Sequence, residues 1–235
     1  MDKNLFRDFY VEFHKKKHKY GKTSDERADM IKETVGRGKK VLDLGCRDGN
    51  LTKHYVNGNE VVGVDIDDIA LSICKENLGI QTIHTDLNEP LPFEDSSFDV
   101  AVAGEILEHL IFPENFIKEV HRVLKSSGIF LGSTPNVARI KNRIQFLLGK
   151  TPCFDYAGYL RFFDDAAHLR YFSYNTLKSL FERYFPKVNI IFYGGHIIGN
   201  REHGLFKFGI PVTKGTPLWL GRLFSENLFW KVVKE

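Results

Sequence analysis

Short β-branched runs and amphipathic stretches alternate through the middle of this chain. The runs 41–44 (VLDL), 60–65 (EVVGVD), 80–84 (IQTIH), 98–103 (FDVAVA) and 128–134 (GIFLGST) are brief and mostly apolar. That pattern predicts buried strands. Between them, 49–56, 67–77 and 113–125 place apolar residues three and four apart, which predicts helices, and Pro113 suits a first helical turn. Strand–helix alternation of this kind predicts an α/β fold, a doubly wound and mostly parallel sheet with helices on both faces. Before it, Leu5, Phe6, Phe9, Tyr10 and Phe13 form a helical stripe over 4–18. Ser24 is placed to cap a second helix, "DERADMIKETV", with acids in its first turn. After Pro135 the rhythm breaks. A helix at 173–184 and a strand at 187–193 restore it, and 226–234 reads as one more strand.

Composition narrows the class. With 235 residues, 43% apolar and 27% charged, the chain suits one globular domain with an elaboration. A net charge of +3 is too small to imply nucleic acid, and "HKKKHK" at 14–19 reads as a solvated helix face. No apolar stretch approaches the ~18 residues of a membrane span, and no signal h-region is seen at the N-terminus. Cys46, Cys74 and Cys153 are scattered without metal spacing, so reduced thiols in a cytoplasmic protein are expected. The 20 Phe hint at an apolar pocket as well as a core.

The chemistry concentrates in "KKVLDLGCRDGNLTKHY" (39–55), a strand, a glycine turn and a helix opening. Such a unit can offer bare backbone N–H groups to a ligand. A dinucleotide site would show G-x-G-x-x-G. Here the glycines are Gly45 and Gly49, and Asp43 lies just ahead of them, where its charge would repel a pyrophosphate and suit a cation. Asp65 ends the second strand, where an acid can accept from both ribose hydroxyls. Asp86 follows the third, placed to accept from an adenine amino group. Three acids at three strand ends describe a cationic adenosine derivative, S-adenosylmethionine.

The run "VLDLGCRDG … VVGVDID … TDLNEPLPFEDSSFDVAVAGEILEHL … EVHRVLKSSGIFLGSTPN" resembles the class I S-adenosylmethionine-dependent methyltransferases. It is most similar to the small-molecule branch that includes ubiquinone-biosynthesis O-methyltransferases. The resemblance covers 40–136 and resumes at 168–185. It implies strand order 3-2-1-4-5-7-6 with the last strand antiparallel. It also implies that Gly45, Cys46 and Gly49 pass under the methionine moiety, and that Asp65 and Ile66 meet the ribose. Asp86 and Leu87 would then meet the adenine, and the backbone around Gly104 and Glu105 the methionine amine. Family members usually carry Gly where this chain has Arg47, so a positive φ there would strain the loop. The resulting organisation is a single domain over 1–235. It comprises a helical lead-in (1–38), a cofactor-binding core (40–136), an insertion (137–172) and the rest of the sheet (173–235).

The insertion resembles those of methyltransferases from surface-glycan clusters. Val137, Ile140, Ile144, Leu147 and Leu148 share a helical face, with Arg139, Lys141 and Arg143 on the rest. Such a helix suits a lid over the cofactor, a membrane-surface contact near lipid-linked substrates, or plain packing on the sheet edge. The expected acceptor is a small molecule or a glycan- or lipid-linked group, methylated at oxygen. A hydroxyl acceptor calls for a base, and His109 in "EILEHL" and His168 in "DDAAHLRYF" are the candidates, with His196 a third. Glu105 and His109, four apart, would share a face if that turn is helical. No set of residues shows metal spacing, so no metal is expected. Two other classes fit the fold: a non-catalytic cofactor-binding module and an aminopropyl transferase. The long aromatic insert argues for an acceptor pocket against the first, and the basic character of 136–172 argues against the acidic pocket the second needs.

Overall fold

The structure is a computed structural model, and it describes residues 25–149, 168–193 and 217–235. Seven strands form one sheet: β1 (Lys40–Leu44), β2 (Glu60–Asp65), β3 (Gln81–His84), β4 (Phe98–Gly104), β5 (Leu124–Pro135), β6 (Lys187–Tyr193) and β7 (Asn227–Val233). Their order is β3-β2-β1-β4-β5-β7-β6. The first five run parallel, and β7 lies antiparallel between β5 and β6. Fold class, strand order and the antiparallel strand all agree with expectation. The helices are α1 (Asp25–Val35), α2 (Asp68–Leu78), α3 (Pro113–Val123), α4 (Ile140–Leu147), α5 (Tyr174–Phe181) and α6 (Leu218–Phe224).

The period-two side-chain alternation of strands sorts the core into two layers. Leu42, Leu44, Ala101 and Ala103 point to one side with Phe116, Ile117 and Val120 of α3 and Leu177 and Phe181 of α5. Val41, Val100 and Val102 point to the other, with Met30, Ile31 and Val35 of α1 and Leu71 and Cys74 of α2. Many of the phenylalanines are core residues: Phe130, Phe181, Phe185 and Trp230 meet edge-on or tilted around β5 and β7. Gly132 allows this packing, because a Cβ there would lie 1.9 Å from the carbonyl oxygen of Ala103.

Several boundaries differ from expectation. The helix expected over 49–56 is only a short 3-10 turn, Thr52–His54. Its residues are recruited sideways to a buried acid, as described below. The helix expected to end at 125 ends at Val123, since Leu124 is extended and pairs with Phe98 at the start of a longer β5. α5 stops at Phe181, and its start is capped by Ser173, which exchanges hydrogen bonds with Thr176. The stripe over 4–18, Cys153, His196 and the insertion between 150 and 167 lie outside the described residues. Among those described, no helix is long and apolar enough to cross a membrane.

Candidate functional site

The C-terminal ends of β1, β2 and β4 converge on one edge, and the turn after β1 is shaped by three constraints. Gly45 has φ of +82°, and a Cβ on it would sit 2.1 Å from Ile106 Cδ1, so only glycine fits. Arg47 also has positive φ, at 47°, so the strain anticipated for a non-glycine residue is present. The main-chain N–H groups are spent within the protein. Those of Gly45 and Cys46 donate to Val64 O, that of Arg47 to Asp65 Oδ2, and that of Gly49 to Cys46 O. The expectation of a row of bare N–H groups is therefore corrected. A turn with its donors already used is poorly equipped for pyrophosphate, whatever the spacing of its glycines.

Asp43 is buried in β1, and Oδ2 accepts from Thr52 Oγ1 at 2.5 Å and Tyr55 Oη at 2.6 Å. This explains why 49–56 cannot continue as a helix: its two hydroxyls must turn inward to satisfy the carboxylate. Burial pushes the Asp43 carboxyl up from 3.8 to about 6. The two hydroxyls oppose that shift, and the nearby Asp65 charge adds to it. A cation beside this acid would be stabilised electrostatically.

Asp65 ends β2, 8% exposed, with Oδ1 accepting from the Asp67 N–H and Oδ2 from the Arg47 N–H. Burial raises its carboxyl above the ordinary value, and these two N–H donors oppose the shift. Each oxygen keeps a second lone pair, the capacity that two vicinal hydroxyls require. Ile66 follows it, half-buried. The start of the next segment is tied to the same strand end, because the Thr85 N–H donates to Asp65 O. Thr85 Oγ1 is buried without a hydrogen-bond partner, an unanswered polar atom beside Asp86 and Leu87. Asp86 accepts from the main chain and side chain of Asn88. The protein thus presents buried acids at two strand ends and an orphaned hydroxyl beyond them. These suit a cationic nucleoside better than an anionic one.

At the end of β4, Glu105 takes φ of +60°, donates its N–H to Ser133 O, accepts from Ser133 Oγ at 2.6 Å, and pairs with Arg27 of α1 at 3.4 Å. The segment after Gly104 is not an extended helical turn. Leu107–His109 is a short 3-10 turn, so Glu105 and His109 do not share a helical face in the way expected. Glu108, which the sequence reading passed over, turns inward instead. It is 1% exposed, with Oε2 accepting from Thr134 Oγ1 at 3.0 Å and Oε1 without a partner. Burial, reinforced by the Glu105 charge, holds its carboxyl well above the usual range.

His109 and His168 do come together, with ring centroids 5.0 Å apart. The Glu108 carbonyl receives the N–H groups of Leu169 and Arg170 at 2.7 and 3.0 Å, which clips the His168 segment onto the Glu108 turn. Nothing in the spacing of the two histidines showed this, since they lie on opposite sides of β5 in sequence. The signal available was the acid–apolar–apolar–acid–histidine order of 105–109, where two acids flank an apolar pair immediately before a histidine. Cys46 and Cys74 are free buried thiols packed under the turn.

Comparisons with known proteins point to methyltransferases. Residues 42–132 match the family described as a methyltransferase domain. A "probable S-adenosylmethionine-dependent methyltransferase" of Mycolicibacterium smegmatis is 35% identical over 101 residues, 42% of this chain and 39% of the relative. A ubiquinone biosynthesis O-methyltransferase of Pseudomonas syringae is 34% identical over 121 residues, 48% of each chain. The chain thus spans less than half the length of either relative. A crystal structure of a SAM-dependent methyltransferase from Thermotoga maritima superposes with a TM-score of 0.65 at 17% identity, covering 99% of both chains. At that identity the likeness concerns the fold.

Proposed function

We propose that this chain, whose residues 42–132 match a methyltransferase domain, is a class I S-adenosylmethionine-dependent methyltransferase that methylates an oxygen of a small-molecule, glycan-linked or lipid-linked acceptor. The observation that carries the reading is the meeting of His109 and His168 beside the end of β4, one strand from the buried acid of β1 and two from that of β2. Bound across those strand ends, S-adenosylmethionine supplies an electrophilic methyl group. The acceptor oxygen forms the new O–CH3 bond as the S–CH3 bond breaks, its electrons return to sulfur, and the hydroxyl proton leaves to a base. The rest is the protein's own work. Asp65, with Ile66 alongside, receives the ribose hydroxyls. Asp86 and Leu87 flank the adenine, and Gly45, Cys46 and Gly49 pass beneath the methionine. Asp43 stabilises the positive charge from below, and the backbone of Gly104 and Glu105 meets the amine. The histidine pair stands where the acceptor proton must leave, and orientation with exclusion of water supplies the remainder of the rate.

The lipid-linked option draws support from the surface. Ile144, Phe146, Leu147 and Leu148 are exposed on and just after α4, and Leu218 and Trp219 are exposed on α6. Arg139, Lys141 and Arg143 lie on or beside α4 as well, so a peripheral contact with an anionic lipid surface fits. A cytoplasmic location suits this reading.

Incubation with methyl-labelled cofactor and separate pools of hydroxyl, amine and polyprenyl-linked glycan acceptors tests the proposal. Label should pass to hydroxyl acceptors, and His109→Asn or His168→Asn should lower turnover roughly 10²–10⁴-fold with cofactor affinity nearly unchanged. Transfer to amines alone, or full activity in both variants, would overturn it.

A further inference from the structure

We infer that the guanidinium of Arg222 is the binding point for an oxyanion, a carboxylate or a phosphate carried by the methyl acceptor. Arg222 lies on α6, and its Cζ sits over the Tyr174 ring, 4.3 Å from the ring centre. Tyr174 in turn stacks on Phe192 of β6, with centroids 5.6 Å apart and planes 24° from parallel. Gly221 lets the helix come this close, because a Cβ there would meet Phe192 Cδ2 at 2.4 Å. A ring contact of this kind holds a guanidinium in place but offers no lone pair to its five N–H donors.

Those donors go unanswered. Among the described residues no carbonyl or carboxylate accepts from the Arg222 side chain, and its Nε is buried without a hydrogen-bond partner. Other arginines of this chain are answered. Arg122, Arg139, Arg143 and Arg170 each donate to a carbonyl or an acid. Glu226, four residues beyond Arg222, is taken by Arg139 at 3.2 Å. A buried donor of a charged group left unpaired is costly, so a guanidinium serving only to pack would gain by reaching an acceptor. An oxyanion engaging the planar fork supplies two acceptors at once, and a small shift of the side chain brings Nε into the pair.

The fold places this group on the acceptor's side. Asn136 directly follows β5 and is 2% exposed, and its Nδ2 donates to Arg222 O at 3.3 Å and Ser225 O at 3.1 Å. Asn136 also bridges to Phe172, and the Val137 N–H donates to Phe172 O, two residues before Tyr174. The arginine and its aromatic platform therefore both hang from the C-terminal end of β5. His168 lies on the same segment, four residues before Phe172. β5 neighbours β4 on the side away from β1 and β2. Ligands of open α/β sheets lie outside the carboxyl ends of the strands, and the buried acids of β1 and β2 belong to the cofactor, which leaves the ends of β4 and β5 to the acceptor. The approach is open. Leu218 and Trp219, four and three residues before Arg222 on one helical face, are 47% and 64% exposed. Assigning the oxyanion to the acceptor rests on the methyl-transfer reading, whereas its binding at Arg222 does not.

The test is binding without turnover, so it stands apart from which atom is methylated. Isotopically labelled chain, saturated with S-adenosylhomocysteine, is titrated with benzoate and with phenyl phosphate, and with benzamide and phenol as their neutral counterparts. The Nε–H resonance of Arg222, assigned by its loss in Arg222→Lys, should move saturably with the two anions and stay in place with the neutral molecules. The tighter anion identifies the source, benzoate for a carboxylate of the acceptor itself and phenyl phosphate for a phosphate on a carrier. Arg222→Met, which keeps apolar length over Tyr174, should weaken anion binding about tenfold or more, and Arg222→Lys should retain part of it. The titration of the native chain decides the matter if Arg222→Met loses its cooperative thermal transition. No saturable shift with either anion, equal binding of the neutral counterparts, or native affinity in a folded Arg222→Met would overturn the inference. Displacement of the anion by S-adenosylhomocysteine would overturn its assignment to the acceptor.

Discussion

The main-chain N–H of Arg47 donates to Asp65 Oδ2 across 2.9 Å, so the turn after β1 is clamped onto the acid that ends β2. The donor is backbone, and it reaches Asp65 because Arg47 takes a φ of +47°. Glycine adopts that conformation freely, whereas a non-glycine residue there costs on the order of 1–2 kcal/mol. Arg47→Gly should keep the clamp and relieve the strain, offset in part by glycine's greater unfolded-state entropy and the loss of the side chain's attraction to Asp65. The expected outcome is a gain of up to about 1 kcal/mol in urea unfolding. A clear loss of stability would show that the guanidinium, rather than the backbone, holds the turn.

Asp43 makes stability fall with rising pH over a definite window. Between its ordinary value of 3.8 and about 6, the native carboxyl keeps a proton that the unfolded one has already lost. The native state binds more protons there, so its advantage shrinks as pH rises and is fully lost above about 6. The size of the effect is on the order of 3 kcal/mol. Unfolding midpoints from pH 4 to 8 should show this decline in the native chain and a flatter profile in Asp43→Asn. A bound cation favours the ionised form, so S-adenosylmethionine should bind more tightly as pH rises through the same window. Equal slopes in both chains would assign the pH dependence to other groups.

The sheet was legible because strands buried on both faces leave continuous apolar runs, and β1 and β2 carry a buried acid at or next to their C-terminal ends. Asp43, Gly45 and Asp65 could be placed for that reason. What escaped reading were the places where a long-range polar demand overrides local pattern. Thr52 and Tyr55 carry a helical spacing, yet both turn to Asp43, and the helix collapses to a single 3-10 turn. Glu108 resembles a solvated helix acid in sequence, but it is buried against Thr134 of β5, a contact no local period encodes. The pairing of His109 with His168 has the same origin, since it depends on backbone hydrogen bonds from Leu169 and Arg170.

Arg122 near the end of α3 organises the loop that leads into β4. Its guanidinium donates to Leu91 O, Phe93 O, Asp95 and Glu119, and Glu119 in turn accepts from the Leu91 N–H. Arg122→Ala would leave several of these partners unanswered. It should destabilise the chain by about 2–3 kcal/mol, read from urea midpoints at constant m-value. Arg122→Lys should recover only a small part, because a point charge cannot serve carbonyls and carboxylate at once. Near-complete recovery would indicate that charge alone, without the planar fork, holds the loop.

Calorimetric titration of the native chain and Asp65→Ala with S-adenosylhomocysteine, run beside NAD as a competitor nucleotide, bears on the whole functional reading. One site per native chain is expected, with negligible NAD binding. Loss of Asp65 should cost on the order of 1.5–3 kcal/mol, roughly a 10- to 150-fold rise in Kd. Unchanged affinity in Asp65→Ala, or preference for NAD, would contradict the placement of an adenosine sulfonium across these strand ends.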